Sequence, residues 1–128
     1  MAKAKILLSV LALALAGCSA GNEAPLSGAD AAIAAIEEMS ETLRTVDDCG
    51  EAGFAATRNV ERAPGILAGV TYISGDLTLD ELDAIERAAR EYVAITNNTD
   101  NICPDTDAVS LAAFNASMLL ESITALRN

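Results

Sequence analysis

The 128-residue chain has no histidine and no tryptophan, and it carries only two tyrosines and two phenylalanines. Lysine occurs at Lys3 and Lys5 alone, so six arginines are the only basic side chains beyond them. Each absence removes chemistry. Without histidine there is no imidazole base, no Ser-His-Asp triad and no histidine-held metal or haem. Without lysine in the body there is no Schiff base there. A pair of carboxylates can still cleave sugars, but such sites use aromatic platforms, and Phe54, Tyr72, Tyr92 and Phe114 are expected in the core or at its edge. Long apolar runs are missing too. The longest, residues 6–16, is interrupted by Ser9, and it is shorter than the ~20 residues of a permanent transmembrane helix. The reading is therefore non-enzymatic, with no catalytic residue, cofactor or metal ligand assigned.

What is present begins at the N-terminus. A basic start, MAKAK, leads into the apolar run and then into small residues, the pattern of a secretory signal peptide. Within it, Leu15-Ala16-Gly17-Cys18 resembles the lipobox of bacterial lipoproteins. That resemblance implies a diacylglycerol on the Cys18 thiol, cleavage just before it, and a lipid membrane as partner through the acylated Cys18. Residues 1–17 would be the signal peptide. Ser19 stands where some inner-membrane lipoproteins carry aspartate, so the implied address is the cell envelope, on the outer membrane facing the periplasm. The alternative is an ordinary signal peptide cut nearby, with Cys18 a bystander. The resemblance covers the export segment only.

Three cysteines is an odd number for an exported chain. Lipidation of Cys18 leaves Cys49 and Cys103, which an oxidising compartment allows to pair as a disulfide; two free thiols are the alternative. All nineteen acids lie after Cys18, and against six arginines they leave a net charge of −13. Such a surface repels nucleic acid and anionic headgroups and attracts a basic partner, with plain solubility as the simpler use.

Residues 18–29, the cysteine and a Gly/Ser/Pro-broken stretch, read as a flexible tether, and residues 30–128 as one helical domain. Ile33, Ile36, Met39, Leu43 and Val46 recur at helical spacing, and Gly50 is placed to end that helix. Asp48 and Glu51 are spaced to cap the next, in which Pro64-Gly65 predicts a kink or a split. A strand through residues 69–74 is the alternative there. Thr78-Leu79-Asp80-Glu81 is a capping box opening a third helix with Leu79, Leu82, Ile85, Ala89, Tyr92 and Ile95 on one face. The stretch TNNTDN is expected to stop it, and Pro104 to open the fourth at its first helical position. In the fourth, Val109, Ala112, Ala116, Leu119, Ile123 and Leu126 form a seam, widened by Leu111, Phe114 and Met118 to touch two neighbours. The expected fold is all-α, a small up-down-up-down four-helix bundle with a kinked or split second helix and one disulfide. In that topology the first and third connections share an end, which brings Cys49 to Cys103.

Two acidic stretches, residues 76–86 and 97–107, have calcium-like spacing, but the first lacks an EF-hand glycine and the second is explained as a helix stop followed by a helix start. Met39 and Met118 are read as core. Arg58 and Arg62, with Arg44 nearby, form a candidate anion site, weighed against simple charge balance with neighbouring acids. The expected function is a membrane-anchored, non-enzymatic interaction or structural module. The alternatives are an acidic inhibitor or immunity-type protein masking a basic envelope protein such as a toxin or wall hydrolase, and a small apolar-ligand or lipid carrier with its ligand between helices around Gly65 and Gly69.

Overall fold

The computed structural model describes residues 28–127. The expected signal peptide, Cys18 and the tether as far as residue 27 lie outside them. Four helices follow in order: α1 (Gly28–Arg44), α2 (Cys49–Ile73), α3 (Leu79–Ile102) and α4 (Asp107–Ala125), with one 3-10 turn (Ser74–Asp76) between α2 and α3. Among the described residues there is no strand.

Local chemistry explains the boundaries. The Asp48 carboxylate accepts the Glu51 N–H at 2.8 Å, and Glu51 Oε1 accepts the Asp47 N–H at 3.0 Å, so two amide donors before or in the first turn of α2 are satisfied. Thr78 and Glu81 exchange the reciprocal bonds of a capping box at α3, at 3.1 and 2.9 Å. Both caps stand where the spacing puts them.

Three boundaries differ from expectation. Gly50 lies inside the first turn of α2, and α1 has already ended at Arg44. The TNNTDN stretch does not stop α3, which runs on to Ile102. Its threonines satisfy themselves within the helix: Thr96 Oγ1 donates to Tyr92 O, and Thr99 Oγ1 to Ile95 O at 2.9 Å, leaving both buried. Polar residues that favour turns are thereby accommodated in helix. Pro104 sits in the turn before α4, which starts only at Asp107. The proline of α2 is accommodated instead. Pro64 lies inside one continuous 25-residue helix, held across the missing N–H by buried Ala63 and Val70 and by half-buried Ile66 and Leu67.

The helices pack as two antiparallel hairpins laid side by side. In the first, Asn59 of α2 donates to Met39 O of α1 at 3.1 Å. In the second, Ser110 of α4 donates to Asp100 of α3 at 2.7 Å, and Arg127 just beyond α4 reaches Asp83 near the start of α3. Between hairpins the helices run parallel, α1 against α3 and α2 against α4, so α1/α4 and α2/α3 are the diagonals of the bundle. Both hairpin turns consequently lie at one end, where Cys49 and Cys103 form a disulfide with Cα atoms 5.7 Å apart.

The core is built from small and branched residues. Ile36, Met39, Ile85, Tyr92 and Ile123 are fully buried among Ala55, Ala88, Ala89 and Ala116, and a second cluster of Ala52, Ala56, Val109 and Ala112 lies behind the disulfide. Each large side chain removed from water contributes about 1.5–3 kcal/mol. Alanine lets the helices approach closely, and this corrects the placement of the rings. Only Tyr92 is inside; Phe54, Tyr72 and Phe114 are exposed, because an alanine-lined interior has no room for them. Leu79, at the first turn of α3, is exposed as well, and so are Leu111, Phe114 and Met118. α4 does touch two neighbours, but through Val109, Ala112, Ala116, Leu119 and Ile123.

Candidate functional site

The disulfide end of the bundle is where unlike elements converge. α1 stops at Arg44, while the parallel α3 continues beside and past it to Ile102. The extra turns of α3 leave a cleft of about 730 Å³ between the two helices. Its walls are Leu43 and Val46 on one side and Ala94, Ile95 and Ile102 on the other, with Ala52 and the Cys49–Cys103 bridge completing them. Ile102 is 67% exposed at the mouth. With both sulfurs joined, neither cysteine is a nucleophile or a metal ligand.

The electrostatics of the rim are one-sided. Arg44 is the sole cation lining the cleft, and it is held twice, by Glu91 and by Glu41 at 3.3 Å. The lining also holds the exposed acids Asp47 and Asp48. Asp48 and Glu51 serve the α2 cap through single oxygens, and the Asp47 carboxylate makes no ion pair among the described residues. The cleft is thus a mainly apolar trough with the carboxylates of Asp47 and Asp48 in its lining.

The other residues singled out from the sequence are placed differently. Arg62 pairs with Glu38 across α1 and α2 at 2.8 Å. Arg58 makes no ion pair among the described residues and lies in a shallow groove with Phe54, Thr42, Thr45 and Glu51. Three of the five acids of residues 76–86 have protein partners: Glu81 closes the capping box, Asp83 binds Arg127, and Glu86 binds Arg90 and Arg127. Among the described residues no three acids or cysteines are grouped to hold a metal ion. Met39 is buried in the core, but Met118 is half exposed. Gly65 and Gly69 lie on the outer surface of α2, where a Cβ would meet nothing within 4 Å.

The cleft was hidden in the sequence because residues 96–101 read as a helix stop. The available signal was the spacing of Ile95, Thr99 and Ile102, which continues the apolar face of α3 through the polar run. A second apolar surface, Leu111, Phe114 and Met118 on α4, needs the structure to show that it faces outward. By length and composition α4 is also apolar enough to cross a membrane, yet it buries a full seam against α2 and α3.

Comparison of the chain with protein-family models, with curated proteins and with solved structures returns no match.

Proposed function

We propose that this protein is a lipid-anchored, non-enzymatic interaction module of the cell envelope, held on the outer membrane through an acylated Cys18 and presenting its disulfide end to a partner. One observation supports the reading above others. Gly28, where the chain enters the fold, lies against Ile73 at the end of α2, the end of the bundle opposite the Cys49–Cys103 bridge and the cleft. A tether entering there directs the cleft away from the anchor. Confinement to a surface then does the functional work, because it raises the effective concentration of the module for a partner on the same membrane without any new contact.

The acidic rim favours a second, narrower version, in which the module masks a basic envelope protein. Its association would be steered by charge and slowed by salt.

The test is the intact mass of the protein taken from its native membrane, before and after reduction and alkylation. Acylation at Cys18 together with two further cysteines protected until reduction is the expected result. An unlipidated chain in the soluble fraction would overturn the anchoring.

A further inference from the structure

We infer that the cleft at the disulfide end is the docking groove for a basic amphipathic helix of a partner protein. The inference deepens the interaction-module reading and rests on it. Three features select this occupant. The first is shape. The lining of α3 runs from Glu91 to Ile102, about 16 Å along a helix axis at 1.5 Å per residue. That length accepts three turns of a helix lying in the groove, with apolar side chains at i, i+3 or i+4, and i+7 as anchors.

The second feature is the wall chemistry. Leu43, Val46, Ala94, Ile95 and Ile102 offer apolar contact, with small Ala94 leaving depth for an incoming side chain. The third is charge. Arg44 is already neutralised by Glu41 and Glu91, so the remaining charge lining the cleft is that of Asp47 and Asp48. An acidic or neutral helix would satisfy the trough but not the rim. A helix with lysines or arginines flanking its apolar stripe satisfies both. The exposed Leu111, Phe114 and Met118 surface of α4 lies outside the cleft lining, which makes it the internal control.

The experiment uses the full chain carrying Cys18→Ser, purified with the disulfide formed, so that lipidation plays no part. The probe is an amphipathic peptide of leucine and lysine with one tryptophan on its apolar face. Because the protein has no tryptophan, all indole fluorescence reports the peptide. A saturable blue shift is expected, with affinity falling about tenfold or more when salt is raised from low to physiological strength. Ile102→Asn and Ala94→Gln are each expected to weaken binding about tenfold. Both positions are exposed, so the fold is not at stake. Phe114→Asn is expected to change nothing.

Absence of binding would overturn the proposal. So would a leucine/serine peptide binding as tightly as the lysine form, or loss of binding on Phe114→Asn with Ile102→Asn silent. Failure of the anchoring shows only in the native-membrane mass, so the two failures are distinguishable.

Discussion

Glu86 is the only charged side chain among the described residues that is buried, at 3% exposure. The Arg127 guanidinium bonds it at 2.6 Å, and Arg90 reaches it one turn along α3. The bond from Arg127 is the largest influence; it and the charge of Arg90 outweigh burial, and hold the carboxyl below its usual 4.5. A carboxyl whose ionisation is eased by folding adds stability above its unfolded value and loses it as pH falls through the folded one. Stability is therefore expected to decline below pH 4.5, and Glu86→Gln to remove about 1–3 kcal/mol at neutral pH while flattening that acid decline. Urea titrations at neutral and acid pH check both. Tyr92 gives the opposite case. Its ring is fully buried and its hydroxyl has Asn59 beside it but no hydrogen bond of normal geometry. Burial pushes its ionisation up to about 12, so the unfolded chain releases this proton first and stability should fall as pH rises from about 10 toward 12. Tyr92→Phe deletes an unsatisfied group. It is expected to leave stability unchanged or raise it by up to about 1 kcal/mol, and to remove the alkaline decline.

At the scale of elements, α2 carries the most unused stability. Gly65 and Gly69 are helical and face open space, so alanine at each should gain about 0.5–1 kcal/mol by propensity alone. The melting temperature of the double variant measures it. The Asp48 cap works the other way: Asp48→Ala should cost about 1 kcal/mol. These elements also show what was legible beforehand. Caps made by neighbours three residues apart, at Asp48 and at Thr78, were readable because both partners are local. The course of α3 through residues 96–101 was not, and at Pro64 the spacing left a kinked or a split α2 open. There the outcome is set by Ala63, Val70, Thr96 and Thr99 finding burial against other helices, a tertiary contribution that local propensity does not contain. The candidate site went unseen for the same reason, since one wall of the cleft is the part of α3 that propensity assigns to a turn. Exposed rings on α2 and α4 were misjudged because periodicity tells which face is apolar, not that both faces of α4 are.

At the scale of the molecule, four helices and a bond between two turns followed from spacing, but the diagonal placement of α2 and α3 depends on which faces meet. The Cys49–Cys103 bridge spans 54 residues, and opening it with Cys49→Ser and Cys103→Ser should cost about 4 kcal/mol by loop entropy. Denaturation of the oxidised chain against that double variant gives the figure. The bridge has a mechanical consequence as well. It turns α2 and α3 into a closed covalent ring from which α1 and α4 leave as tails toward the far end. Stretched between its termini, the oxidised chain can yield only its tails, because the 54 residues spanned by the bridge keep roughly 190 Å of contour locked inside the ring at about 3.5 Å per residue. Reducing agents at the tip would decide how far a pulled chain can reach.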